Sequence, residues 1–273
     1  MRRGEDLRRY LRQEAMPNVW CPGCGHGNVM TALTKACDAT QLDLDNTVVV
    51  GGIGCASRMP FFLNTNAMHT THGRALTFAT GIKLARPDLT VIAVMGDGDA
   101  LAIGGNHLIH ACRRNIDLTA LILNNEIYGM TGGQLAPSTP QGMRSATSPF
   151  GSIEMPFDTV ELALAAGATY VARTTTFDFD EMPRLIQAAL AHPGFSLIEI
   201  LTQCPTYFGR LNKLGAGRAL LDYEKDMTEP LETLTREDLA GKLPTGVFRD
   251  EIRPEYTRRY AALCERARKG ARD

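Results

Sequence analysis

The chain has 273 residues, 44% of them hydrophobic and 22% charged, with a net charge of -1 and seven cysteines. That composition excludes a disordered chain and allows one large domain with a substantial core. The balanced charge leaves no electrostatic footprint for nucleic acid, and no apolar run approaches the roughly 18 residues that a membrane span needs.

The N-terminal stretch MRRGEDLRRYLRQEAMPN is too charged to hold a signal-peptide core. An odd number of cysteines in such a chain favours metal ligation or plain burial over a disulfide framework, and the expectation is a cytoplasmic protein. Basic residues cluster at 2–12 and 258–272, interleaved with acids as on solvated helix faces.

In chain order, the first motif is WCPGCGHG at 20–27, followed by a helical pattern at 27–39 and an apolar run, TVVVGG, at 47–52. A helix at 73–86 precedes the strand TVIAVMG at 90–96, and a helix at 100–114 precedes TALILNN at 119–125. The stretch 129–152 is rich in Gly, Pro, Ser and Thr, and a loop that long inside a compact domain is usually functional. Then come a helix at 158–166, a strand at 168–172, a helix at 179–191, the strand SLIEILT at 196–202 and an irregular tail from Cys204.

Val-, Ile- and Leu-rich strands alternating with helices predict a doubly wound, mostly parallel α/β sheet covered on both faces. No repeat or composition break marks a second domain. Residues 1–203 read as the α/β domain with an N-terminal cysteine segment, and 204–273 as an extension of it. In such a sheet, ligands gather where the strands end at their carboxyl edge, so the loops after the strands are the ones to read.

VMGDGDALAIGGNH followed by LILNNEIYGM is the strongest local signal. Asp97 follows a strand end, Gly98 lets the backbone approach a ligand, and a helix starts with free N–H groups, which suits a phosphate. A carboxylate beside a diphosphate needs a cation between them, and Mg2+ takes such a mixture of protein and phosphate oxygens. GDG and NN at matching strand ends resemble the thiamine diphosphate-binding superfamily. That resemblance implies Mg2+ held by Asp97, the Asn125 side chain and the Ile127 carbonyl, with residues 128–130 along the diphosphate.

VVVGGIGCASR tests against a dinucleotide fingerprint and fails, since Ser57 stands at the third glycine position and no acid follows about 20 residues on. It does place Cys55 at the active edge. The Cys21 and Cys24 pair follows a charged segment and not a strand, unlike thioredoxin, and Gly25 separates Cys24 from His26, which removes covalent haem. Zinc and an iron-sulfur cluster stay open, each needing further ligands. Cys55 and Cys204, the latter in TQCPTYFG, are the candidates, whereas Cys37, Cys112 and Cys264 sit in helical patterns as inert thiols.

WCPGCGHG, GIGCASR, HGRALTFATGIKLARPDLTVIAVMGDGD, NNEIYGMTGGQLAPSTP and QCPTYFGR occur in the order seen in beta subunits of two-subunit 2-oxoacid:ferredoxin oxidoreductases. The chain resembles that family from Trp20 to the tail, and TGVFRDEIRPEYTRRY is similar to its 2-oxoglutarate branch. The resemblance implies one [4Fe-4S] cluster on Cys21, Cys24, Cys55 and Cys204. It implies thiamine diphosphate at Ile53, Gly54, Cys55, Ala56, His72, Gly96, Gly98, Asp99, Asn125, Gly129 and Met130, with Ala56 standing where the family often has Ser. His72 is a polar contact to diphosphate or substrate, and Arg58 a candidate partner for a distal carboxylate.

The implied reaction is coenzyme A-dependent oxidative decarboxylation of 2-oxoglutarate, with pyruvate or a broader range of 2-oxoacids as the alternative. The implied partners are ferredoxin and an alpha subunit that brings the glutamate needed for thiamine activation, in a heterodimer or a dimer of heterodimers. A zinc-stabilised binding protein without catalysis is the reading from another class.

Overall fold

A computed structural model describes residues 7–235 and 241–270. The outer ends of both basic clusters, residues 1–6 and 271–273, lie outside the described residues. The first α/β units are α1 (His26–Ala39), β1 (Thr47–Gly51), β2 (Asn66–His69), α2 (Ala75–Ala85) and β3 (Thr90–Gly96). After them come α3 (Gly105–Arg114), β4 (Leu118–Asn124) and a short hairpin, β5 (Ile127–Tyr128) with β6 (Gln134–Leu135). The domain continues with α4 (Thr159–Ala166), β7 (Tyr170–Thr175), α5 (Glu181–Ala191) and β8 (Phe195–Leu201). The tail holds α6 (Arg218–Asp226), β9 (Thr228–Pro230), β10 (Leu243–Asp250) and α7 (Tyr256–Arg268).

Eight strands form one sheet in the order β2-β1-β3-β4-β8-β7-β10-β9. All pairs are parallel except β10 on β7. Alternate strand residues feed two cores. Val49, Ile92, Val94, Leu121 and Leu123 pack with Val29, Leu33 and Ile186 of α1 and α5 on one face. Val50, Ala93, Met95, Ala120 and Ile122 pack with Leu76, Leu108 and Val160 of α2, α3 and α4 on the other. Each such aliphatic side chain contributes about 1.5–3 kcal/mol on burial, and this two-sided burial gives the strands their unbroken apolar runs.

Departures from the expected elements have local causes. β7 begins at Tyr170 and not at 168, because Gly167 (φ 92) ends α4 and the Ala168 N–H closes back on the Ala163 carbonyl at 3.0 Å, a helix stop of the Schellman type. The helix expected at 100–114 opens as a π-helical turn over Gly98–Ile103 and restarts at Gly105. β2 is a short edge strand exposed at all four residues, so it has no apolar pattern to read. The tail is more ordered than its sequence suggests, since β10 joins the main sheet.

Candidate functional site

A cleft of about 410 Å³ opens at the carboxyl ends of β1, β3 and β4. From β1 the sheet grows one way to β2, and from β3 the other way to β4, so this is a switch point where crossing connections leave a crevice. Ile53, Gly54, Cys55 and Ala56 line it from the β1 end, Gly96, Asp97, Gly98 and Asp99 from the β3 end, and Asn125, Ile127, Gly129 and Met130 from the β4 end, with His72 beside them. Every residue singled out for thiamine diphosphate or Mg2+ is in that lining.

Asp99, after β3, ties its own loop to those after β1 and β2. Its Oδ1 accepts from the backbone N–H of Gly73 at 2.6 Å and of Ile53 at 3.3 Å, and meets His72 Nδ1 at 2.8 Å. The Ser57 hydroxyl donates to Oδ2 at 3.3 Å. A side chain at Gly52 would run into this carboxylate, and one at Gly98 into the Tyr128 ring. Tyr128 donates to the Gly98 carbonyl at 3.1 Å and stands edge-on to His72, centroids 6.0 Å apart, forming a wall of the cleft.

Asp97 is 2% exposed. Burial pushes its carboxyl up to about 6, against the Ser138 hydroxyl, which donates at 2.5 Å, and the N–H groups of Gly98 and Asn125. The Asn125 side chain makes no protein hydrogen bond among the described residues. Between Asn125 and Ile127 the chain turns through Glu126 at φ 62. That turn is held by the Asn124 amide oxygen, which accepts from Glu126 N–H at 3.0 Å, and by Thr139, which donates to the Glu126 carbonyl at 2.6 Å. The Glu126 side chain is buried, and burial, with Asp97 and Glu199 nearby, pushes it up to about 8. A carboxylate, an amide and a carbonyl are hard oxygen donors suited to Mg2+.

Four thiols meet at one side of the cleft. Burial raises Cys24 to about 12 and Cys55 to about 11, and neighbouring thiols add to both: Cys55, Cys204 and Cys21 act on Cys24, and Cys204 and Cys21 on Cys55. Burial also raises Cys204, with Cys21 contributing. Cys37 and Cys112 are raised by burial with no other thiol involved. A Cβ on Gly129 would sit 3.5 Å from Cys55 Sγ and 3.6 Å from Cys204 Sγ. All four cysteines are free thiols. Among the described residues no three His, Cys, Asp or Glu side chains converge on a single ion. Thiolates are the donors that both zinc and an iron-sulfur cluster take.

Residues 52–200 match the family model of the thiamine pyrophosphate enzyme, C-terminal TPP binding domain. The chain is 46% identical over 261 residues to the 2-oxoglutarate synthase subunit KorB of Methanocaldococcus jannaschii, covering 94% of this chain and 97% of that one. It is 48% identical over 263 residues to KorB of Archaeoglobus fulgidus, covering 96% and 95%. The chain belongs to the thiamine-dependent 2-oxoacid:ferredoxin oxidoreductase beta-subunit family. A 2-oxoglutarate:ferredoxin oxidoreductase from Magnetococcus marinus, solved with 2-oxoglutarate, coenzyme A and succinyl-CoA bound, superposes with a TM-score of 0.87 at 35% identity, over 98% of this chain and 92% of that one.

Within this family frame, one expected residue sits apart from the rest. Arg58 does not line the cleft; its guanidinium stands 5.8 Å from the Phe61 ring centroid, close enough to act on the Cys55 thiol. His107 and His110 line a separate groove between α2 and α3. Sequence reasoning missed Gly52, Glu126, Ser138, Thr139 and His26. The only available signal was their place within or beside the quoted motifs, since each acts through a contact with a distant segment.

Proposed function

We propose that this chain is the beta subunit of a 2-oxoglutarate:ferredoxin oxidoreductase, joining 2-oxoglutarate and coenzyme A to give succinyl-CoA and CO2, or running in reverse, with electrons exchanged with ferredoxin. The observation that carries this reading is four thiols from three separate loops gathered against the switch-point cleft.

Asp97, the Asn125 side chain and the Ile127 carbonyl would hold Mg2+, and the close backbone approach at Gly54, Gly98 and Gly129 leaves room for a diphosphate. When bound, thiamine diphosphate supplies the nucleophile for the 2-oxo carbon and the sink for the electrons left by CO2. Cys21, Cys24, Cys55 and Cys204 would hold one [4Fe-4S] cluster that moves those electrons singly. Asp99 orients His72 towards the cleft, Tyr128 and Met130 limit water entry, and Arg58, outside the lining but three residues beyond Cys55, would offer a bidentate partner only to a distal carboxylate that extends past the cleft. No glutamate lines the cleft among the described residues, so the carboxylate that assists thiamine activation is assigned to an alpha subunit. The segment from Cys204 onward serves the 1–203 domain by supplying the fourth thiol and completing the sheet. Thiols that must stay reduced fit the cytoplasm.

The test is anaerobic co-expression with the alpha subunit, followed by iron analysis and dye reduction. About four irons per chain and coenzyme A-dependent viologen reduction with 2-oxoglutarate are expected. In the same assay Arg58→Ala should lose more activity on 2-oxoglutarate than on 2-oxobutyrate. One zinc and no iron would sink the reading, and a preference for pyruvate would overturn the substrate assignment.

A further inference from the structure

His26 opens α1 two residues after Cys24, is 1% exposed and lines the cofactor cleft. Its Nδ1 lies 2.8 Å from Cys24 Sγ, while its Nε2 is buried with no hydrogen-bond partner among the described residues. The ring is fixed in place: it stacks on Trp20 with centroids 5.7 Å apart and planes inclined by 23°. The Trp20 indole N–H in turn donates to the Cys55 carbonyl at 2.8 Å. One aromatic pair therefore ties the Cys24 segment to the Cys55 segment at the cleft.

A buried ring nitrogen left without a partner costs about 1–3 kcal/mol, and this ring belongs to the lining of a ligand cleft. A cluster-bound Cys24 is a thiolate and can only accept. The Nδ1 beside it then carries the ring proton, which leaves Nε2 as a bare acceptor.

We propose that His26 is a positioning residue between the two cofactors: Nδ1–H donates to the Cys24 sulfur and raises the cluster's reduction potential, while Nε2 accepts from an N–H or O–H of the molecule bound in the cleft. The inference rests on the four-cysteine cluster of the proposed function. Reduction adds negative charge to the cluster, and a hydrogen bond to a ligand sulfur stabilises the reduced form more than the oxidised one, so the sign is upward.

The experiment uses the alpha-beta complex purified anaerobically as wild type, His26→Asn and His26→Phe. Asn places an amide near the Nδ1 position but nothing at Nε2; Phe keeps the stack on Trp20 and removes both nitrogens. Potentiometric EPR titration should show a lowered midpoint in His26→Phe and a midpoint near wild type in His26→Asn. Deuterium exchange followed by electron-nuclear double resonance should show, beyond the couplings of backbone N–H groups at Cys24 and Cys204, one further exchangeable proton coupled to the reduced cluster in wild type and lost in His26→Phe. In wild type labelled with 15N-histidine, the reduced cluster should also couple to a histidine nitrogen, a readout that survives even where a variant fails to fold.

Thiamine diphosphate with Mg2+, or 2-oxoglutarate, should bind both variants roughly three- to tenfold more weakly, the value of one neutral hydrogen bond. An unchanged midpoint in His26→Phe, or no histidine coupling in wild type, overturns the sulfur contact. Unchanged affinities for both probes overturn the cleft contact. A wild-type complex without iron defeats the proposed function and this inference together, whereas a normal cluster with silent variants defeats this inference alone.

Discussion

Glu199 on β8 and Asp97 after β3 are both 2% exposed, yet among the described residues only Glu199 of the two has a cation. Arg173 Nε reaches Glu199 Oε2 at 2.6 Å, and Arg173 Nη2 reaches Asp158 at 2.6 Å. Thr159 and Asn124 donate to Glu199 Oε1 at 2.6 and 2.8 Å. Burial works against the Arg173 charge, but the two carboxylates outweigh it and raise its pKa. Asp97 has the Ser138 hydroxyl and backbone N–H groups but no cation among the described residues, and it rises to about 6. A buried charge that the fold pairs itself serves the fold, whereas the unpaired carboxyl in the cleft is where the proposed Mg2+ would sit. Asn124 joins the two regions, bonding Glu199 with its amide nitrogen and the Glu126 N–H with its oxygen.

The widest break in this comparison is Arg173→Met. It strands Glu199 without a cation in the core and should cost about 3–5 kcal/mol, measured by thermal unfolding of the alpha-beta complex. The double variant Arg173→Met with Glu199→Leu should recover more than half of that loss, because an apolar pair replaces a desolvated ion pair at little net cost. Wild-type stability in Arg173→Met would mean that the pair does not hold the fold.

At the unpaired region the same kind of change should have the opposite sign. Asp97→Asn should weaken binding of thiamine diphosphate with Mg2+ roughly 100-fold, while stabilising the cofactor-free complex. The pH dependence follows from the raised carboxyl: the folded state holds the Asp97 proton longer than the unfolded chain does. Its contribution is therefore present below the ordinary carboxylate range and lost as pH rises through about 6. Asp97→Asn should flatten that part of the stability curve. A variant that lost both stability and cofactor affinity would place Asp97 with Glu199 as a structural group.

Much of the sheet was legible because β1, β3, β4 and β8 are buried on both faces, and burial on both faces forces runs of Val, Ile and Leu. That Gly54, Asp97, Gly98 and Asn125 meet at one cleft was legible because each follows a strand that ends at the same sheet edge. β10, LPTGVFRD, was not legible: only Thr245 of it is buried, and Pro244 and Gly246 read as loop punctuation. The Arg173 and Glu199 pair was also hidden, since parallel register sets those two opposite each other only once β7 lies on β8. Ser138 and Thr139 looked like ordinary loop residues because the partners that give them a role, Asp97 and Glu126, lie 41 and 13 residues away in sequence.

Glu224 on α6 offers the finest test, because it is an unpaired buried carboxyl outside the cleft. It is 3% exposed, accepts from the Thr176 hydroxyl at 2.8 Å through Oε2, and has no partner for Oε1 among the described residues. Burial holds its pKa well above the usual carboxylate range, and Glu126 raises it further. The folded chain therefore keeps a proton that the unfolded chain releases, so this group's contribution is complete at acid pH and declines as pH climbs towards the folded pKa. Glu224→Gln leaves an amide oxygen to accept from Thr176 and removes the proton from the balance. Relative to wild type it should gain stability as pH rises above the ordinary carboxylate range, by at most ~1.4 kcal/mol per pH unit, read from unfolding of the complex at two pH values. Cofactor affinity should stay unchanged, since Glu224 lies outside the cleft lining. An equal change at both pH values would show that the substitution acts through packing; a loss of thiamine diphosphate binding would extend the unpaired region, and with it the functional site, across the sheet edge to α6.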